Sequence, residues 1–130
     1  MKRRSYLKAM LAAAAGLRGA AAQGAANPIV LDVDLSVEPA REKEMLQNFR
    51  TVFKPAATKF PGYIDVKILK LRTALQGSAP AGVNYRFQLT YESEELRQKW
   101  VSSDVHKKVW PTIENTLRSK GYTVLLFDSM

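Results

Sequence analysis

The sequence of 130 residues contains no cysteine, one histidine and no long apolar run. Without cysteine there is no disulfide, no thiolate nucleophile and no cysteine-based metal site. One histidine leaves mainly carboxylates as metal ligands, so we expect neither a metal site nor a cofactor. Because no apolar run approaches the roughly 20 residues of a transmembrane helix, we expect no stable membrane insertion of the mature protein. Motifs that cradle phosphate, carry a serine nucleophile or bind zinc on a helix are also missing.

Basic residues outnumber acidic residues by 20 to 12, which gives a formal net charge of +8. The excess is local, because a quarter of the basic residues lie near the start of the chain. These are Lys2, Arg3, Arg4, Lys8 and Arg18. The other 15 basic residues alternate with the 12 acidic ones and form no stripe. A nucleic-acid-binding surface needs clustered positive charge, so we expect no nucleic-acid partner.

Residues 1–26 have the three parts of an export signal, which are a basic start, an alanine-rich middle and small residues at a potential cleavage site. The segment Arg3-Arg4-Ser5-Tyr6-Leu7-Lys8 resembles the twin-arginine motif. Cleavage is expected after Ala22, in an A-x-A site. We therefore expect a signal peptide and short linker over 1–26, one folded domain over 27–130, and a periplasmic or secreted protein. The alternative is a basic tail that is disordered or helical.

The hydrophobic pattern of the remaining chain predicts the order strand, helix, strand, strand, helix pair, strand. Apolar residues alternate along the strands and recur every three or four positions along the helices. The expected strands are 29–37, 63–72, 83–92 and 122–127, and the expected helices are 39–60, 93–101 and 102–119. Pro55 should kink the first helix or restart its last turn, Pro111 should bend the last helix, and Gly121 should end that helix. A change of phase at Leu69 predicts a bulge in the second strand.

Right-handed crossovers applied to this order predict an α+β fold, a ferredoxin-like βαββααβ antiparallel sheet with strand order 4-1-3-2 and helices on one face. The first and third strands are then neighbours. Asp32 and Asp34 on the first strand and Arg86 and Gln88 on the third form a complementary set for pairing across the sheet. The second face of the sheet is left for water or another sheet.

Three segments together resemble the antibiotic biosynthesis monooxygenase domain, a family of the dimeric α+β barrel group. They are the alternating first strand, Phe60-Pro61-Gly62-Tyr63, and Tyr91-Glu92-Ser93 leading to Trp100-Val101-Ser102-Ser103-Asp104-Val105-His106. The resemblance covers residues 29–128. It implies a homodimer in which two sheets pack face to face, with a pocket in each subunit between its sheet and its helices.

Large aromatic residues would line such a pocket. They are Phe49, Phe53, Trp100 and Trp110 from the helices and Tyr85 from the sheet. A concave aromatic site with few polar groups suits a small flat ligand such as a quinol or a polyketide. The same residues would equally make an ordinary hydrophobic core, so the pattern leaves both interpretations open.

His106 is the candidate proton-transfer group, because an imidazole can take a proton from a phenol or an enol. Trp110, one helical turn later, could stack on the same ligand. The alternative is a surface histidine, since Lys107 and Lys108 follow it directly.

The resemblance implies that some members oxidise aromatic substrates with dioxygen and no metal or flavin, using an asparagine, a tryptophan, a tyrosine and a histidine. Trp100 matches the tryptophan, whereas the first strand has Val33 and Asp34 where an asparagine is found. We therefore expect a cofactor-independent monooxygenase with His106 and Trp100 as catalytic residues. The alternative is a non-catalytic small-molecule binder or structural dimer, or a haem binder, although haem-degrading relatives have a histidine near the position of Trp110.

Overall fold

The computed structural model describes residues 27–130. Four strands form one antiparallel sheet in the order β2-β3-β1-β4. They are β1 (Ile29–Leu35), β2 (Tyr63–Lys70), β3 (Tyr85–Tyr91) and β4 (Thr123–Asp128). This confirms the predicted fold class and strand order. The proposed signal residues Arg3, Arg4 and Ala22 lie outside the described residues.

The first helical segment connects β1 to β2 and changes its helix type along its length. A 3₁₀ turn (Pro39–Arg41) leads into α1 (Glu42–Asn48), a π turn (Phe49–Phe53) and α2 (Lys54–Ala57). Pro55 lacks an N–H group, so the preceding π turn accommodates a proline inside an otherwise helical segment. A short α-helix therefore restarts at the proline, which is one of the two outcomes that the sequence predicts.

The second helical segment follows β3 and consists of α3 (Glu94–Ser102), α4 (Asp104–Val109) and α5 (Pro111–Glu114). Ser93 caps α3, because its hydroxyl accepts the N–H of Leu96 at 3.2 Å. Ser103 caps α4 in the same way, accepting the N–H of His106 at 3.1 Å. The two helices therefore begin at the positions that the sequence indicates, and the Ser103 cap separates the second from the first.

The last helix is shorter than predicted, ending at Glu114 instead of continuing to residue 119. Beyond it the backbone pairs with the segment that follows β1. The carbonyl of Thr116 accepts the N–H of Glu38 at 2.9 Å, and Arg118 donates its N–H to Ser36 at 2.8 Å. Gly121 accordingly lies in a connection and ends no helix. Local pattern missed this because the competing hydrogen bonds come from residues about 80 positions away.

The core lies between one face of the sheet and the two helical segments that cover that face. Every second residue of β1 faces the helices beside its partner on β3. The pairs are Ile29 with Tyr91, Leu31 with Leu89, Val33 with Phe87 and Leu35 with Tyr85, all of them buried. From the helices, Met45, Phe49, Phe53 and Ala57 are buried at four-residue spacing.

The irregularity of β2 lies at its start, between Tyr63 and Asp65, where the pairing with β3 shifts by one residue. The prediction of a bulge near Leu69 is therefore wrong. Leu69 pairs regularly with Arg86 and lies on the face away from the helices, where it is 43% exposed. A leucine on the outer face produced the apparent change of phase.

The outer face of the sheet carries the predicted polar network. Arg86 donates from Nε to Asp34 at 2.9 Å, and Gln88 donates to Asp32 at 3.0 Å. Both aspartates are at least nine-tenths shielded from solvent. The network therefore satisfies two carboxylates that would otherwise be costly to bury.

Among residues 27–130, no helix is long and apolar enough to cross a membrane. Over the same residues, His, Asp and Glu side chains form no group of three that could hold a metal ion.

Candidate functional site

A cleft of about 180 Å³ lies between the inner face of the sheet and helices α3 to α5. Its sheet side is entirely apolar and consists of Leu31, Val33, Phe87, Leu89 and Val124. Its other walls carry aromatic and polar groups, which are Phe53, Arg97, Trp100, His106 and Trp110 from the helical segments and Tyr122 from the connection before β4. The cleft borders the edge strand β4, whose inner residue Val124 is 49% exposed because the helices do not cover that edge.

Four of the residues expected to form the site line this cleft, namely Phe53, Trp100, His106 and Trp110. Phe49 and Tyr85 do not, and the expectation for these two is corrected. Phe49 packs behind the cleft, edge to face against Phe87 at 6.2 Å between ring centroids. Tyr85 lies at the other end of the inner face, where its hydroxyl donates to Glu42. Both face the helices as predicted, but the cleft borders the sheet only at Leu31, Val33, Phe87, Leu89 and Val124.

The imidazole of His106 is held between two indoles. It meets Trp100 edge to face, with ring centroids 5.2 Å apart and planes at 87°. It lies nearly parallel to Trp110, at 6.2 Å and 14°. Phe53 closes the group with edge contacts to Trp100 at 5.8 Å and to Trp110 at 6.0 Å. Packing on both sides therefore orients the ring of His106 toward the cleft.

Ser103 explains why Trp100 and His106 meet. Its hydroxyl donates to the carbonyl of Trp100 at 2.7 Å and also accepts the backbone N–H of His106. The chain thus turns between α3 and α4 around one serine. Lys107 and Lys108 are exposed, whereas His106 is half-buried on the opposite side of α4. The two lysines beside it in sequence do not make it a surface residue.

Burial and the nearby Arg97 guanidinium lower the pKa of His106, and the Glu114 carboxylate opposes this effect. The ring is therefore neutral at pH 7. Among the described residues no hydrogen bond engages either ring nitrogen, so one can donate and the other can accept. A neutral imidazole facing an apolar cleft is suited to accept a proton from a bound ligand.

An NMR titration of His106 should have its midpoint below about 6.5, the ordinary value for histidine. Arg97→Gln should raise this pKa because it removes a repelling cation, and Glu114→Gln should lower it further because it removes an attracting carboxylate. Because the pKa of His106 is lower in the folded protein than in the unfolded chain, protonation of this residue favours unfolding. The stability that depends on a neutral His106 is complete above about pH 6.5 and is lost as the pH falls below it. Shifts of equal sign in the two variants would contradict this electrostatic environment.

Three polar residues at or beside the cleft were not predicted, namely Arg97, Glu114 and Tyr122. Trp110 donates its indole N–H to the hydroxyl of Tyr122 at 3.1 Å, and Tyr122 donates to Oε2 of Glu114 at 2.7 Å. Arg97 binds Glu94 through two contacts of 2.6 Å each. Glu114 follows Trp110 by four residues, and this spacing places both on one helical face. The sequence could therefore have indicated that these two residues lie close together. No local signal places Tyr122 beside them.

A larger cleft of about 360 Å³ lies on the other face, between the outer side of the sheet and the connection from β2 to β3. Three of its four charged residues, Asp34, Lys70 and Arg86, already have partners, and only Arg72 has none among the described residues. Arg86 binds Asp34, and Nζ of Lys70 lies 2.6 Å from Oε2 of Glu42. The smaller cleft, which has the neutral imidazole and the aromatic walls, is therefore the better candidate site.

Comparison with known proteins gives matches in structure alone, since no family model and no curated protein matches the chain. A proposed antibiotic biosynthesis monooxygenase from Caulobacter crescentus has a TM-score of 0.63 at 16% identity, over 80% of this chain and 91% of its own. A second one, from Bordetella bronchiseptica, has a TM-score of 0.64 at 13% identity, over 80% of this chain and 98% of its own.

A dimeric ferredoxin-like protein of unknown function from Jannaschia sp. CCS1 has a TM-score of 0.63 at 15% identity, over 79% of this chain and 98% of its own. At these identities the likeness concerns the fold. The chain has a ferredoxin-like α+β fold, and the proteins that share it include proposed antibiotic biosynthesis monooxygenases.

Proposed function

We propose that this protein binds a small hydroxylated aromatic molecule in the cleft and oxidises it with dioxygen, without metal or flavin. The observation that carries the proposal is the neutral imidazole of His106, which has no hydrogen-bonding partner among the described residues and borders an aromatic cleft. Structural likeness to proposed monooxygenases supports the same reaction class.

His106 would accept the proton of the ligand's hydroxyl group, leaving an electron-rich anion that can reduce dioxygen. The substrate supplies all the electrons. In an anthrone the ring CH₂ group becomes a carbonyl with one oxygen atom, and the other oxygen leaves as water. In a hydroquinone one ring C–H becomes C–OH and the ring becomes a quinone, with the other oxygen again leaving as water. Trp100 would keep the imidazole in place through its edge contact, and Trp110 would present a flat surface to the ligand.

The size of the cleft limits the ligand. A cavity of roughly 150 Å³ holds one benzene ring, and clefts for drug-sized ligands measure roughly 300–1,000 Å³. At about 180 Å³ this cleft encloses one aromatic ring, with further rings extending past β4. Hydroquinones fit this description, whereas a haem macrocycle exceeds the enclosed space.

Oxygen uptake with a panel of hydroquinones and anthrones tests the reaction. His106→Ala should reduce the rate by about a hundredfold, because loss of a general base typically costs at least that factor. Lys107→Ala is the matched control, since this exposed neighbour lies on the same helix outside the cleft. Equal rates in wild type and His106→Ala would remove the assigned role of His106.

Binding without turnover is the second candidate, and the position of Asp34 favours it. Val33 lines the cleft, but Asp34 lies on the outer face and is bound to Arg86. Strand β1 therefore offers no amide to an oxygenated intermediate. Ligand-induced shifts of the tryptophan signals without oxygen uptake for any compound of the panel would favour this function over oxidation.

We also propose that two copies associate through the outer faces of their sheets. Leu69, Leu125 and Phe127 lie on this face, and each is more than 40% exposed. Exposed apolar side chains at both edges of a sheet face can pack against a second sheet, and a neighbour of the same fold is dimeric. Light scattering should give twice the chain mass for wild type and the monomer mass for Phe127→Lys. A monomeric wild type would overturn the proposal.

Export through the twin-arginine route is proposed from Arg3, Arg4 and the A-x-A site ending at Ala22. Mass spectrometry of the protein from its native host should find the mature chain beginning after Ala22 in the exported fraction. An intact Met1 in the cytosolic fraction would overturn this assignment.

A further inference from the structure

The hydroxyl of Tyr122 has its proton in a defined place. The indole of Trp110 can only donate, so the tyrosine oxygen must accept from it. The carboxylate of Glu114 can only accept, so the hydroxyl proton must point to it. One lone pair on the tyrosine oxygen remains, and Tyr122 lines the cleft.

We propose that Tyr122 is a specificity-determining residue of the cleft, whose hydroxyl oxygen accepts a hydrogen bond from the ligand. This inference rests on the proposed binding of an aromatic ligand there. With its proton committed to Glu114, Tyr122 can only accept. It therefore selects aromatic compounds that carry a hydroxyl or amino group and disfavours their methylated counterparts.

The surroundings keep Tyr122 in this state. Its ring meets Trp110 edge to face, at 5.9 Å and 72°, so packing and two hydrogen bonds fix the side chain. Burial and the Glu114 carboxylate raise the pKa of Tyr122, which keeps the hydroxyl protonated. The other polar groups of the cleft are His106, which can both donate and accept, and Arg97, whose Nε and Nη2 are engaged by Glu94.

Binding of 4-methylphenol and 4-methylanisole tests the proposal, because the two differ by one methyl group on oxygen. The indole N–H signals of the two tryptophans report binding in NMR titrations, and that of Trp110 also reports its bond to Tyr122. Wild type should prefer the phenol by about three- to tenfold, the factor for one hydrogen bond. The phenol has one hydroxyl proton, which His106 could also accept, so Tyr122→Phe is compared with Tyr122 in the His106→Ala background. There Tyr122→Phe should bring this ratio near one.

Two further variants complete the test. Tyr63→Phe removes a hydroxyl outside the cleft and should keep the wild-type ratio. Glu114→Gln releases the tyrosine proton, since an amide can donate as well as accept, and should lower the ratio by allowing Tyr122 to donate to the ether. An unchanged ratio when Tyr122→Phe is added to His106→Ala would overturn the role of Tyr122. If neither compound binds wild type, the proposed ligand site itself fails.

Discussion

Trp100→Ala is expected to lower the free energy of unfolding by about 3–5 kcal/mol, the usual cost of removing a large aromatic residue from a core. Trp100 is 1% exposed and contacts Phe53, Phe60 and His106. Alanine would leave a void beside the cleft, and surrounding helices could close it only by moving α3. Denaturation with urea measures the effect.

The adjacent Val101 provides the control, since it is on the same helix and 39% exposed. Val101→Ala should change the free energy of unfolding by less than about 1 kcal/mol, as a half-exposed methyl pair contributes little. Trp100→Phe should fall between the two because a ring remains to fill part of the space. A loss below 1 kcal/mol in Trp100→Ala would contradict the packing of this residue in the core.

Gly62→Ala is expected to cost about 2–4 kcal/mol, from a strained backbone conformation together with overpacking. Gly62 has φ of +93°, a region that residues with a Cβ rarely adopt. An added Cβ would lie 2.7 Å from Cδ1 and 2.8 Å from Cβ of Leu96. The Cβ of Leu96 is fixed to α3, so the clash is relieved only by displacing that helix. Thermal or urea denaturation measures the loss.

Gly77→Ala separates the two contributions. Gly77 has φ of +73° with nothing within 4 Å of an added Cβ, so it should show the backbone cost alone, about 1–2 kcal/mol. In the Leu96→Gly background, which also removes the Cβ of residue 96, Gly62→Ala should become about as costly as Gly77→Ala. Equal losses for the two glycine variants in the native background would show that Leu96 does not restrict this position.

The close approach at Gly62 gives a physical meaning to the Phe60-Pro61-Gly62-Tyr63 segment. The carbonyl of Gly62 accepts the N–H of Glu92 at 2.8 Å, which ties the turn before β2 to the end of β3. Ser93 begins the cap of α3 directly after that bond. Two of the three segments that carry the sequence resemblance therefore meet at one corner of the fold.

Much of the fold could be predicted because its causes are local. The alternation of β1 and β3 defines their inner faces, and Ser93 and Ser103 define where α3 and α4 begin. Chain order and crossover handedness then restrict the sheet to the observed strand order. The polar pairs of β1 and β3 followed from that order, since residues opposite each other in an antiparallel pair must be compatible.

The same argument explains the corrections. The helix after Pro111 ends early because hydrogen bonds to Ser36 and Glu38 replace those of the helix. Phe49 and Tyr85 were assigned to the cleft because an inward-facing aromatic is indistinguishable, in sequence, from one that lines a cavity. Whether a residue fills the core or borders a space depends on where the helices cross the sheet, which no periodicity encodes.

By itself the sequence determined which residues face inward, because that depends on periodicity. It also determined where α3 and α4 start, through their caps, and which strands are neighbours, through the handedness of the connections. Only the tertiary structure decided that His106 faces a cleft and that Tyr122, Trp110 and Glu114 form one hydrogen-bonded chain. Those arrangements depend on how α4, α5 and the start of β4 pack together. Packing of that kind is set by the shapes of distant side chains in contact, and not by the order of residues along any one element.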